Sequence, residues 1–295
     1  MSEKRIIAAD SQRLDAICAC PRLYSFRFGT PEMPTGWAPN DAPAYREKGS
    51  LQHIMLETYY TLRKYRYRWA LNKRTHADIV QICINVGRTM AIKMQLDLTE
   101  VEIGVETFKQ YAEYWQNDGW DNILAVEEVG SKILYEDDEV IILYEVKMDL
   151  VLKLQNTILP VDHKTTKSHR DPNELANQFK GYCWFMGVNN MMVNEIGFQR
   201  TYEPSKKFLR HVLSYPQDLI DEWREQAIYW ILQADAHERM NHFPPNYTSC
   251  DKYSGCDYKL VCSSDRSVRD RKLRTHFSEQ TWDVGQILSA TGKEE

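Results

Sequence analysis

Three residues in the middle of the chain have types and spacing suited to cation-assisted chemistry on a phosphate: Asp149, Asp162 and Lys164. If Gln155-Asn156 is a two-residue hairpin turn, paired positions sum to a constant and Asp149 lies directly opposite Asp162. A four-residue loop keeps that register; an odd loop breaks it. Asp162 and Lys164, two apart on one strand, share a face by alternation. Carboxylates rooted roughly 5 Å apart across a sheet repel each other, and a divalent cation between them reverses the sign. Hard oxygen donors in that arrangement suit Mg²⁺ or Mn²⁺. Such an ion lowers the pKa of a bound water and polarises a phosphate. The lysine then orients the nucleophile or neutralises developing charge. Taken alone, D-x(12)-D-x-K also describes solvated charges on an exposed sheet face, so the surrounding elements must decide.

The segments ILAVEEVGSKILY, VIILYEVKMDLVL and TILPVDHK are short, rich in Val and Ile, and separated by the doublets Asp137-Asp138 and Gln155-Asn156. They read as three antiparallel strands. Upstream, a short helix is expected from Ser11, with Ser11 as N-cap, then a loop marked by Pro31, Pro34, Pro39 and Pro43. Helices follow over about 45–70, 76–96 and 99–117, the first carrying Leu51, Ile54, Met55, Tyr59 and Leu62 on one stripe. Downstream a helix is expected over about 172–187, opened by Asp171-Pro172. Strands over about 193–202 and 207–214 come next, then a long amphipathic helix that stops before Pro244-Pro245. Helices enclosing strands in this order give an α/β (α+β) fold.

The block KMDLVLKLQNTILPVDHKTTK followed by QFKGYCWF resembles the RecB-like branch of the PD-(D/E)XK nuclease superfamily. That branch places an Asp on one strand, (D/E)-x-K on the next, and Q-x-x-x-Y on the following helix. The resemblance carries Asp149, Asp162, Lys164, Gln178 and Tyr182 into the catalytic set. GSLQHIMLE resembles the family's G-x-x-x-H-x-x-L-E helix, which adds His53 to Asp149 and Asp162 as a metal ligand, with Glu57 one turn further on. Gln178 and Tyr182, one helical turn apart, could contact the substrate backbone or brace the lysine. Glu127 and Glu128 are candidate supporting acids, and parity counted from the Asp137-Asp138 turn favours Glu128. One departure is Glu145, where the family often has Gly. The implied fold is a restriction-endonuclease-like core, a mixed sheet flanked by helices, and the implied activity is Mg²⁺- or Mn²⁺-dependent hydrolysis of DNA, chiefly at ends.

Seven cysteines remain to be placed. Cys250, Cys256 and Cys262 are evenly spaced in SCDKYSGCDYKLVCSSD, and Cys20 precedes Pro21 near the other end. This resembles the iron–sulfur version of the same nucleases, found in AddB-type helicase-nucleases and CRISPR-associated RecB-like exonucleases. There one N-terminal and three C-terminal cysteines hold a [4Fe–4S] cluster; the first C-terminal gap here is five residues, not the commoner two. Four thiolates hold zinc equally well in principle. Cys18 is the alternative fourth ligand, and Cys83 and Cys183 fall in helical patterns as core residues. A cluster site would join the N- and C-terminal segments.

The chain has 295 residues, 43% hydrophobic and 27% charged, with a formal net charge of −5. That balance does not suggest a basic coat for duplex DNA but leaves room for a local groove. A single domain is expected: a helical part to about 120, a catalytic core over about 121–215, a helix and cysteine segment over about 216–265, then a tail. Lys206, Lys207 and Arg210, with Lys64, Arg66 and Arg68, are candidates for contacting DNA phosphates. Without a signal peptide or apolar span the expectation is a cytoplasmic protein that does not enter membranes. No helicase P-loop is present, so unwinding would come from a helicase or recombination partner.

Overall fold

Turn chemistry sets the central strands. Strands β3 (Ile123–Glu136) and β4 (Val140–Leu154) are joined where Asp137 Oδ1 accepts the N–H groups of Glu139 and Val140, both at 2.8 Å, a side chain standing in for a backbone turn. The next turn is Gln155-Asn156, with Gln155 at φ +53°. It fixes the register of β5 (Thr157–Thr166) from Leu154↔Thr157 to Leu150↔Val161, the pairing a two-residue loop demands.

The computed structural model describes residues 4–30, 35–40, 44–65, 74–120, 122–169, 172–199, 201–252 and 255–282. Arg66, Arg68, Pro31, Pro34, Pro43 and Asp171, named above, lie outside them. Strand β1 (Arg5–Ala9) runs parallel to β4. Strand β6 (Asn190–Gly197) is parallel to β5, and β7 (Phe208–Ser214) is antiparallel to β6. The sheet order is β1-β4-β5-β6-β7, with β3 also on β4. This is a mixed sheet with flanking helices, an α/β architecture of the restriction-endonuclease-like kind.

The chain forms two compact units, with β3 and β4 running through both. The unit of residues 43–128 and 148–216 holds α3 (Ala44–Lys64), α4 (His76–Lys93), α5 (Leu98–Tyr114) and α6 (Asn177–Met186). Leu51, Met55 and Tyr59 of α3 pack with Cys83, Phe108 and Tyr111 beside Leu150, Val161 and Ile196 of the sheet. Each such side chain contributes about 1.5–3 kcal/mol through burial. Gly87 sets the closeness of α4 and α3, because a Cβ there would meet Met55 Cγ at 2.7 Å.

The other unit holds α1 (Ser11–Ala19), α2 (Pro21–Phe28), α7 (Gln217–Arg239) and α8 (Arg269–His276). Strand β2 (Gly36–Pro39) pairs there with β8 (Phe277–Gln280). Helix α7 buries Ile220, Trp223, Ala227, Ile231 and Ala234, a stripe at helical spacing. No helix among the described residues is long and apolar enough to cross a membrane.

Several expectations are corrected. The cap of α1 is Asp10, not Ser11: its carboxylate accepts the Arg13 N–H at 2.8 Å. Helix α6 begins at Asn177 rather than 172, because Asn173 Oδ1 takes the Leu175 N–H and holds the preceding residues in a turn. Gly187, at φ +65°, ends α6 early enough for β6 to start at Asn190. Lys206 and Lys207 sit in a single helical turn opened by Pro204, not on the strand. Strands β1, β2 and β8 were not anticipated.

Candidate active site

Helix α3 delivers the histidine. Gly49 permits its close approach to β5, since a Cβ there would meet Thr165 Oγ1 at 3.0 Å. One turn further, His53 Nδ1 lies 3.6 Å from Asp149 Oδ2. His53, Glu127 and Asp149 each offer a ligand atom, all within 4.8 Å of one another. One imidazole and two carboxylates fit a divalent cation with a preference for oxygen donors. Neither Glu57 nor Asp162, the other expected metal ligand, is part of this group.

Glu127, not the favoured Glu128, is therefore the acid brought to His53 and Asp149. Its backbone has φ +50°, a left-handed conformation that is rare outside glycine and interrupts the two-residue alternation of a strand. Counting parity from the Asp137-Asp138 turn across that break picks the wrong neighbour. Glu127 is buried and Glu128 exposed. The only sequence signal was two adjacent acids on a strand otherwise rich in Val and Ile.

The described β4–β5 pairing ends at Leu150↔Val161. Just beyond it the His163 N–H donates to Asp149 Oδ2 at 2.7 Å, so a carboxylate takes a backbone donor at the edge of the site. Asp162 is 1% exposed, and its Oδ2 pairs with Lys164 Nζ at 2.9 Å. Lys164 Nζ also donates to Gln178 Oε1 at 2.8 Å, and Gln178 Nε2 donates to Tyr182 Oη at 2.9 Å. An ammonium only donates, so it fixes which way the Gln178 amide faces. Of the two roles left open for Gln178 and Tyr182, the bonds show bracing of the lysine; Tyr182 itself is buried.

His163 lies behind this layer. Burial, reinforced by the charges of His53, Arg210 and Lys164, holds its pKa well below the usual histidine value, so the ring is neutral at neutral pH.

Two residues expected on phosphates are instead structural. The Arg210 guanidinium stacks 3.7 Å from the Trp115 ring centre and 3.4 Å from that of Trp120, and it pairs with Asp118 at 2.7 Å. Lys207 is 2% exposed and donates to Gln110 at 2.7 Å. Lys206 is exposed, and Lys64 lies in the last turn of α3. Lys207→Ala should leave the salt dependence of DNA binding unchanged, whereas loss of a true phosphate contact lowers the log–log slope by about 1. Binding isotherms across a salt series check this.

The cysteines separate as their surroundings dictate. Cys83 and Cys183 are fully buried, and burial pushes both thiols up to about 12. Burial also raises the Cys256 thiol, and charges on Cys262, Cys250 and Cys20 add to the effect. Those four are therefore neighbours. The Asn246 N–H donates to Cys20 Sγ at 3.2 Å, and a hydrogen bond from Arg22 opposes the rise that burial imposes on Cys262. Cys18 is raised to about 12 by burial and by Asp15. Trp37, Tyr258, Val261, Leu273 and Phe277 form the apolar floor beside Cys256.

The chain was compared with known proteins. No curated protein matches it. Among solved structures, the crystal structure of SSO0001 is similar at 10% identity with a TM-score of 0.39, covering 89% of this chain and 88% of that one; a score that low bears on neither fold nor function. The family model for the PD-(D/E)XK nuclease superfamily matches residues 11–263. That match takes in α1, both strands of the acidic pair, the lysine, and the last of the clustered cysteines, and the chain belongs to the PD-(D/E)XK nuclease superfamily.

Proposed function

We propose that the protein is a Mg²⁺- or Mn²⁺-dependent deoxyribonuclease of the RecB-like branch. It acts as an exonuclease on single-stranded DNA or DNA ends, in recombination or repair with a helicase partner. The observation that carries this reading is the juxtaposition of a His–Glu–Asp ligand group with a lysine held between Asp162 and Gln178. A divalent ion held by His53, Glu127 and Asp149 would supply Lewis acidity at a scissile phosphate. The remaining work falls to the protein's own groups. Asp162 holds the Lys164 ammonium at a fixed place, and Gln178 limits its rotation. From there Lys164 orients an attacking water or neutralises charge developing on the phosphate oxygens. His163 keeps Asp149 aimed through its backbone N–H.

Cys20, Cys250, Cys256 and Cys262 hold a [4Fe–4S] cluster in the same proposal. The donor chemistry fits: four thiols, a backbone N–H on Cys20 and Arg22 at Cys262.

End-labelled single- and double-stranded DNA, incubated with Mn²⁺ or Mg²⁺ beside an Asp149→Asn variant, tests the nuclease. Cation-dependent degradation that the variant loses is the expected result, and the product ladder gives polarity. Inertness on every substrate would replace the enzyme with a DNA-binding subunit of a larger repair complex. Anaerobically purified protein should be brown, and Cys256→Ala should bleach it and lower the melting temperature, as measured by visible absorbance and calorimetry. A colourless wild type carrying one zinc would overturn the cluster assignment.

A further inference from the structure

Asn194 touches no proposed metal ligand or DNA contact, yet it is fully buried on β6 immediately behind the site. Its amide joins three side chains. Arg210 Nε donates to its Oδ1 at 3.4 Å. Its Nδ2 donates to Tyr111 Oη at 2.8 Å and meets His163 Nδ1 at 2.8 Å. Tyr111 and Tyr60 share a hydroxyl bond of 2.5 Å, and the Tyr60 ring stacks on His163 at 5.5 Å with the planes 13° apart.

The chemistry of these groups fixes the direction of the bonds that Asn194 makes. Arginine can only donate, so the oxygen of the Asn194 amide faces Arg210. The amide nitrogen can only donate, so His163 Nδ1 accepts and the ring proton resides on Nε2. Asp118 anchors the sequence by pairing with Arg210 at 2.7 Å. The result is a one-way run of donors from Arg210, through Asn194, to the His163 imidazole, with Asp118 accepting from Arg210 at its head.

The run of donors ends just beyond Leu150↔Val161, the last described pair of the β4–β5 ladder. At that point the His163 N–H serves Asp149 Oδ2. We propose that Asn194 is a positioning residue for the metal centre: by holding the His163 ring it fixes the backbone donor that aims Asp149. This rests on the metal-dependent reading above.

The test measures Mn²⁺ binding to the purified full chain by the electron paramagnetic resonance of free Mn²⁺, with no DNA present. Asn194→Leu keeps the volume and removes both donors. Its Mn²⁺ affinity should fall about 10–100-fold, the usual effect of losing a partner behind a ligand. Asn194→Asp can accept from a ring proton moved to Nδ1, which remakes the bond with reversed polarity, so its affinity should return to within a few-fold of wild type. Nitrogen-15 NMR of the His163 ring should show Nδ1 unprotonated in wild type and protonated in Asn194→Asp.

If Asn194→Leu does not fold, His163→Phe keeps the stacking on Tyr60, deletes the acceptor, and should show the same loss of Mn²⁺ affinity. Wild-type affinity in whichever of the two variants folds would overturn the proposal. Wild-type Mn²⁺ binding that ignores Asp149→Asn would instead sink the metal-site reading beneath it.

Discussion

Replacing Lys164 with methionine should lower the turnover of DNA cleavage about 10²–10³-fold, the usual cost of removing one donor aimed at developing charge, while Mn²⁺ affinity stays within a few-fold. The two quantities separate because Lys164 is not among the grouped ligands His53, Glu127 and Asp149. Methionine preserves the alkyl stem that carries the ammonium over the Phe179 ring and removes only the charge. Gln178 Oε1 and Asp162 Oδ1 then lose a donor at 2.8 and 3.1 Å, and Asp162 Oδ2 loses the positive charge 2.9 Å away. Lys164→Arg should recover only part of the rate, because a planar fork cannot occupy the place of a compact ammonium between those two acceptors. Single-turnover cleavage at saturating Mn²⁺ measures the effect. A methionine variant that cleaves at the wild-type rate would remove Lys164 from the chemistry.

Sequence reasoning reached this site where its geometry is local. The pairing of β4 with β5 follows from a two-residue turn, whereas Gly49, His53, Gln178 and Tyr182 come from short motifs of the family the chain resembles, with which helical spacing is merely consistent. It failed where one backbone angle or one distant partner decides. Glu127 cannot be told from Glu128 without knowing that φ is +50° at Glu127. Arg210 looked like a free cation on a strand, because its carboxylate lies 92 residues away at Asp118. The tryptophans that sandwich it are equally remote in sequence. Strand β1 was missed for the same reason: five residues with no turn beside them become a strand only by pairing with Val140–Tyr144. Asn194 carried no signal, since its importance lies in three partners drawn from α5, β5 and β7.

Asp118→Ala should be the most destabilising single substitution in the unit that contains the site, at about 3–5 kcal/mol, the cost of breaking a buried ion pair from one side. The Asp118 side chain is fully buried between Arg63 at 2.8 Å and Arg210 at 2.7 Å, and it also accepts the Trp120 N–H at 3.1 Å. Its loss leaves two guanidinium groups, one inside a tryptophan sandwich, without a counter-charge and out of reach of bulk water. For a unit of this size the penalty corresponds to a fall of about 10 °C in melting temperature. Asp118→Asn keeps the shape and the acceptor on Trp120 but not the charge, and should fall between alanine and wild type. Because Arg210 heads the cascade through Asn194 to His163, both variants should also weaken Mn²⁺ binding in protein that is still folded at low temperature. A shift of under about 2 °C for Asp118→Ala in calorimetry would mean that the cation–π stacking alone holds Arg210, and that the carboxylate is dispensable to fold and site alike.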